Sequence, residues 1–398
     1  MKNIKKSHRK TFHTLYLILL SLFILGCKNK YEPEAAFIKV YHDEDINTNY
    51  YPLGIQETND GGYIVLSAKN GWNIHILKTD PEGNMLWEQQ ISSKYVNAVP
   101  NLIKRNGKIY FVCMDAVGLF TYIMEINENS KEVIEFNKFE SILYPLYVFD
   151  NNSEVYIQHY NRMSYETGIV ELSAGMDEIQ NSGSAQIFTD VEDKIVDHIN
   201  YTGKRFPFFI RVTPEKNHLI FNGFNNYSFS AVFMNTNLGF SGVYSGAAFD
   251  GGLNAILPLG SNKFSLARFS FSNMFYNAHA TLDPSTIDIA ESIPAQVQTE
   301  LNPQHPVLIK KIEINGQSYI TYLASTKSNH LLLSFFKPGS SEPAAIQYVG
   351  ESTPLIACDF GKTNDGGLMI LTRVTVMGSF DRIATVKLSE QELEKLVE

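Results

Sequence analysis

Cysteine is scarce in this chain: three residues in 398, at positions 27, 113 and 358. Cys113 and Cys358 lie in separate apolar, strand-like runs, so no disulfide framework is encoded. Both are expected as buried free thiols. Tryptophan is scarcer still, with two. Apolar runs of bilayer-spanning length are missing, and Leu15–Leu25 falls well short of the roughly 20 residues a helical span needs. Basic charge is in deficit, 33 Lys and Arg against 42 Asp and Glu, for a formal net charge of −9. Five of those bases precede residue 27, where there is no acid, so the remainder is more acidic than the total suggests. A nucleic-acid surface is thereby excluded. No Gly-x-Ser-x-Gly elbow, His-Glu-x-x-His or Cys-x-x-Cys occurs. What is abundant is the material of strands: 44% hydrophobic residues, 26 Phe and 21 Tyr. That composition excludes disorder, collagen and coiled coil.

The first 26 residues read as an address. Lys2, Lys5, Lys6, Arg9 and Lys10 precede the Leu15–Leu25 run, which suits the apolar core of a signal peptide. It ends in Ile24-Leu25-Gly26-Cys27, which resembles a bacterial lipobox, with Leu25 somewhat bulky for the pattern. The resemblance implies cleavage before Cys27, lipidation of that cysteine and a membrane anchor made stable by more than one acyl chain. Residues 27–35 then form a tether. The expected location is the outer membrane or cell surface of a Gram-negative bacterium. An ordinary secretory signal with an incidental cysteine is the alternative.

Beyond the tether the chain repeats. Asn59-Asp60-Gly61-Gly62, Asn70-Gly71 and Pro81-Glu82-Gly83-Asn84 are turn signals separating short β-rich runs, which together make a four-stranded meander. Thr58–Gly62 recurs identically as Thr363–Gly367, followed again by matching strands. Degenerate copies start near Pro100, Leu143, Phe206, Asn254 and Pro306, a period of about fifty residues. Residues 58–87 resemble the Asp-Gly-Gly-Tyr propeller repeats of bacterial secreted and surface proteins, closely in the first unit and partly in the last. The resemblance implies an all-β, seven-bladed β-propeller of four-stranded antiparallel blades over residues 36–398. Strand 36–41 (AFIKVY) would complete the last blade, so that no long edge stays open. Six or eight blades, or a two-domain β-sandwich, are the structural alternatives.

In such a blade the loop between strands two and three shares a face with the links between blades. The long links His42–Tyr51, Asn181–Arg205 and Ser292–Pro306 should crowd that face. The same face should carry Trp72, Phe120, Tyr165, Asn225, Tyr227, Phe275, Tyr276 and Phe380. Aromatic rings beside amides stack on sugar C–H faces and bind hydroxyls, so these are the candidate glycan-binding residues. Packing between blades is the alternative for each, and Trp87, part of the repeat pattern, is expected in the core. A monomer that binds a glycan noncovalently is the first expectation. A scaffold for an envelope protein partner is the second, and a carbohydrate-active enzyme the third.

Specific chemistry is thin. Asp43 and Asp45, with Asn47 and Asn49, are a fragment of a calcium-loop pattern that lacks its glycine and its closing glutamate; a solvated acidic loop is the default. Asp190, Glu192, Asp193 and Asp197 beside His198 are the nearest thing to an acid–base cluster. A helix over Asp190–Ile199 with a solvated acidic face explains them. No catalytic residue and no cofactor is assigned.

Overall fold

The computed structural model describes residues 36–41, 47–350, 353–376 and 380–398. The signal peptide, the tether, Cys27, Asp43 and Asp45 lie outside the described residues.

After β1 (Phe37–Tyr41) the chain lays down one antiparallel meander after another. The first sheet is β2 (Tyr50–Glu57), β3 (Tyr63–Lys69), β4 (Asn73–Thr79) and β5 (Met85–Gln90). After β6 (Tyr95–Val96), the second is β7 (Ile103–Arg105), β8 (Lys108–Asp115), β9 (Phe120–Asn127) and β10 (Glu132–Leu143). The third is β11 (Pro145–Asp150), β12 (Val155–Asn161), β13 (Glu166–Leu172) and β14 (Ile179–Gln186). A helix, α1 (Glu192–Asn200), precedes the fourth: β15 (Ile210–Val212), β16 (His218–Asn225), β17 (Ser228–Asn235) and β18 (Phe240–Ser245). The fifth is β19 (Gly251–Gly260), β20 (Lys263–Ser270) and β21 (Asn273–Thr281); then come β22 (Ile287–Ile289) and β23 (Gln296–Gln298). The sixth is β24 (Leu308–Ile314), β25 (Gln317–Ser325), β26 (Leu331–Phe336) and β27 (Pro343–Val349). The closing sheet is β28 (Leu355–Lys362), β29 (Leu368–Val376) and β30 (Phe380–Leu388), before α2 (Glu390–Val397).

β1 pairs antiparallel with β30, from Phe37 opposite Lys387 to Tyr41 opposite Ile383, and supplies the closing sheet's fourth strand. The expectation for 36–41 therefore holds. Sheet boundaries differ in three places. β6 pairs with both β4 and β8 and stitches the first two sheets into one continuous ladder. The Asn181–Arg205 link is shorter than expected because β14 runs on to Gln186. Within Ser292–Pro306, β23 is the fifth sheet's outer strand, and just before that link β22 crosses back to pair in parallel with β18.

Turn chemistry explains the meanders. Asn70-Gly71, Asn106-Gly107 and Asn315-Gly316 all have positive φ at both residues, as a two-residue hairpin requires. Middle strands such as Tyr63–Ala68 are buried along their whole length, because both faces of each sheet pack on neighbours. Outer strands such as β5 are mostly exposed.

Side chains tie each sheet to the next. The amide of Asn97 donates to the Pro145 carbonyl (2.9 Å), Thr167 Oγ1 to the Phe224 carbonyl (2.8 Å), and Asn254 to the His305 carbonyl (3.2 Å). The Ala357 N–H donates to Ser325 Oγ (2.9 Å). Asp359 then spans three sheets, accepting from Lys310 Nζ at 2.8 Å and from the Ile55 N–H at 3.1 Å. Contacts thus run from sheet to sheet and return from the last to the first. That ring of repeated antiparallel sheets is a β-propeller.

The Thr-Asn-Asp-Gly-Gly repeat is a structural device in both copies. Asp60 accepts from Lys78 Nζ at 2.9 Å and from the Gly62 N–H at 3.0 Å. Asp365 accepts from Lys387 Nζ and, at 3.1 Å, from the Gly367 N–H. Each lysine comes from the third strand and is buried, at 2% exposure for Lys78 and 1% for Lys387. A Cβ at Gly62 would stand 2.1 Å from the Thr79 carbonyl oxygen and 2.6 Å from Lys78 Nζ, so only glycine fits there.

Candidate ligand-binding face

Backbone hydrogen bonds place links and second-to-third-strand loops together, as the blade geometry requires. The Asn97 N–H donates to the Trp72 carbonyl (2.8 Å), Ile187 to Tyr165 (2.8 Å), Phe271 to Asp250 (2.7 Å) and Asn302 to Ser325 (3.0 Å).

The 187–209 link dominates this face. Its helix α1 runs over Glu192–Asn200 against the expected Asp190–Ile199, with acidic residues in the first turn where the helix dipole favours them. Ile195, His198 and Ile199 are buried. Glu192 accepts from the Tyr144 hydroxyl at 2.8 Å and pairs with Arg162 at 3.3 Å. Lys194 lies 5.0 Å above the Phe249 ring, and the Asn200 carbonyl lies over Gly71. At the helix C-cap, Tyr201 stacks on Tyr51 at 4.0 Å and carries the Arg205 guanidinium 3.8 Å from its ring. A segment that touches the first, third and fourth sheets at once sits over the middle of the ring.

The acidic cluster has structural partners. The Asp197 carboxylate accepts from the Thr202 hydroxyl at 3.0 Å, and its backbone carbonyl accepts the Thr202 and Gly203 N–H groups. His198 Nδ1 accepts the Phe206 N–H at 3.0 Å. Burial, helped by the Arg205 charge, holds the His198 pKa well below its ordinary value. It is neutral at pH 7. Burial likewise lowers His159 to about 4, and burial with the Arg373 charge lowers His305 to about 4. Among the described residues no three His, Cys, Asp or Glu side chains are grouped to hold a metal ion. Cys113 is buried and Cys358 partly buried, both unbridged.

His159 yields a pH prediction. Its unfolded pKa of about 6.5 exceeds the folded value, so the unfolded chain binds the proton first and stability falls as pH drops. Between pH 7 and 5 this one group should cost about 2 kcal/mol. Urea midpoints for His159→Gln should show a shallower pH slope than the parent over that window. Equal slopes would count against it.

The eight candidate residues divide. Trp72 is partly buried and packs against the core cluster that contains Ile195 and Ile199. Phe120 and Phe380 are the first residues of β9 and β30, under Lys138 at 4.8 Å and near Arg382 at 5.9 Å. Phe275 and Tyr276 lie inside β21 rather than in the loop. Phe275 stacks against Arg268 at 4.0 Å. Tyr276 is 5% exposed and packs on Tyr322 with ring centroids 4.4 Å apart, which makes it core. Asn225 is buried and its side-chain oxygen has no hydrogen-bond partner. Trp87 packs partly on the core cluster of the first two sheets, which includes Ile64, Ile76 and Phe111, and is only half-buried.

Tyr165 and Tyr227 lie on connections joined through a third, which carries Phe188, a ring the sequence did not single out. Tyr165 is 44% exposed, Tyr227 65% and Phe188 62%. Phe188 and Tyr227 have ring centroids 6.0 Å apart. Three connections hold these rings: the Phe188 N–H donates to the Asn226 carbonyl (3.2 Å) and the Asn226 N–H to the Gln186 carbonyl (2.8 Å). The Gln186 amide donates to the Tyr165 carbonyl at 3.1 Å. On the same face, a polar cleft of about 470 Å³ is lined by Phe271, Asn273, Asn302, Gln304 and Lys327.

Phe271 had a signal in the sequence. It is an aromatic in a two-residue turn, where Asn or Gly is the ordinary choice, and it takes φ 51° there. Phe188 had none, since the end of β14 could not be read.

No protein-family model matches the chain, and no curated protein matches it. Among solved structures it is similar to a putative 6-phosphogluconolactonase from Bacteroides fragilis, at 12% identity over 86% of this chain and 96% of that one, TM-score 0.42. It is similar to the β-propeller domain of the Trilobed protease from Pyrococcus furiosus, at 10% identity over 86% and 95%, TM-score 0.43. A putative 6-phosphogluconolactonase from Bacteroides uniformis is 14% identical over 85% and 95%, TM-score 0.42.

Proposed function

We propose that this chain is a seven-bladed β-propeller, anchored through a lipidated Cys27 at the outer membrane or cell surface, that binds a glycan noncovalently on its loop-rich face. The observation that carries the reading is the exposed ring pair of Phe188 and Tyr227, next to the connection that carries Tyr165. The three connections are pinned to one another by hydrogen bonds, so their backbone needs no ordering on binding, which lowers its cost. Flat, exposed aromatic faces suit a sugar ring, whose C–H face stacks on them.

A protein partner is the second reading. Phe240, Ile287 and Ile289 are exposed on the paired outer strands β18 and β22, the kind of apolar patch that protein interfaces use.

A glycan-array screen of the soluble protein from Lys28 onward tests the first reading, with hits examined for turnover by mass spectrometry. Specific binding with the glycan left intact is expected. Shortened products would replace the binding module with an enzyme. No bound glycan would overturn the reading in favour of a protein partner, to be sought by crosslinking in the native membrane.

A further inference from the structure

A second cleft lies on the opposite face, between the turns of the first and second sheets. It encloses about 660 Å³, within the range of small-ligand sites. Its apolar wall is Leu86 and Trp87 from the outer strand β5. Leu86 is 53% exposed, an unusual place for a large apolar side chain. Opposite stand the turns of the second sheet, with Asn127 and Asn129.

The charges in this cleft balance. Lys78, Lys108 and Lys131 face Asp60, Glu125 and Glu128. Lys78 pairs with Asp60 and Lys108 with Glu125, each at 2.9 Å. A lining with equal and interleaved charge gives no net pull on an anion or a cation, yet offers donors and acceptors in number. Asn127 Oδ1 accepts the Asn129 and Ser130 N–H groups at 3.1 Å, which leaves its NH₂ as the group it can offer. A half-buried indole beside uncharged amides and neutralised charges matches a ligand with an apolar face and a hydroxyl rim.

We infer that this cleft is a second ligand site, and that it takes a short neutral oligosaccharide stacked on Trp87. The site shares no residue with the Phe188–Tyr227 pair or the connections that carry it, so either can fail alone. Trp87 ends the Gly-Asn-x-Leu-Trp pattern of the first unit, and the only other tryptophan is Trp72. The site is therefore unique to the groove between the first two sheets.

Because the chain has two tryptophans, Trp72→Phe leaves Trp87 as the sole indole reporter. Its emission would be titrated with tri- and tetrasaccharides of glucose, xylose, mannose and galactose, and with trigalacturonate. At least one neutral oligosaccharide should give a saturable change, and trigalacturonate none stronger. By calorimetry Trp87→Leu, which keeps apolar bulk without a flat face, should bind that sugar about tenfold more weakly. Asn129→Ala, on an exposed turn, should weaken it about threefold and keeps the test open if Trp87→Leu unfolds. Tyr227→Ala should leave the Trp87 signal unchanged. The proposal is overturned by any of three results: no saturable change across the neutral panel, unaltered affinity in both cleft variants, or tighter binding of trigalacturonate.

Discussion

Asp365→Ala should cost the folded chain about 3–5 kcal/mol, the range for leaving one partner of a buried ion pair uncompensated. The Lys387 side chain is 1% exposed and that of Asp365 8%, so neither charge has water to fall back on. Lys387 also donates to the Tyr63 hydroxyl at 3.3 Å, which joins the closing sheet to the first. Losing the aspartate therefore removes the hydrogen-bonded counter-charge of Lys387 at the seam where the ring closes. The equivalent Asp60→Ala should cost about 1–2 kcal/mol, because Asp60 is 58% exposed and Lys78 keeps Thr58 Oγ1 at 3.0 Å. Urea midpoints at pH 7 compare the two, and equal losses would sink the argument. The pH dependence has a definite sign. Burial alone would raise the Asp365 pKa, but hydrogen bonds from Lys387, Thr363 and the Gly367 N–H outweigh it and hold the carboxyl below its ordinary value. A depressed folded pKa means that the stabilisation is complete above the unfolded value of about 3.9 and drains away as pH falls through the folded one. Asp365→Asn should therefore be destabilised at pH 7 and approach the parent under strong acid.

That pair also marks how far the sequence could be read. Thr58–Gly62 and Thr363–Gly367 are legible because turn chemistry is local: positive φ, a short acceptor and glycine leave few alternatives. Their lysines are not legible as partners, since a Lys in a strand reads as a surface residue until the fold buries it. Sheet starts near 100, 143, 206, 254 and 306 were legible from alternating apolar runs, and β1 from the missing fourth strand at the far end. The stitching by β6 was not, because a two-residue strand has no periodicity to detect. For the candidate face, aromatic residues in turns could be counted, but their direction could not. Period-two alternation puts neighbours on opposite faces of β21: Phe275 meets Arg268 while Tyr276 enters the core against Tyr322. Asn225 ends β16 and Tyr227 lies in the turn that follows, where that alternation breaks, so one is buried and the other exposed.

The difference between Tyr276 and Tyr227 becomes a functional contrast. Phe188→Ala combined with Tyr227→Ala should weaken the glycan identified by array screening about 100-fold, roughly tenfold for each ring lost. Both side chains are more than 60% exposed, at 62% and 65%, so the double variant should unfold within about 1 kcal/mol of the parent. Tyr276→Ala should do the reverse. Its ring is 5% exposed and shares the core with Tyr322, so truncation leaves a cavity worth about 3–5 kcal/mol, with little change in affinity for whatever remains folded. Trp72 stands between these cases. Packed on the cluster under α1, Trp72→Ala should loosen the helix that covers the middle of the ring and lower stability more than binding. Calorimetric affinities read beside urea midpoints separate the two classes of ring. A double variant that binds as tightly as the parent would remove the ring pair from the mechanism, however exposed its rings.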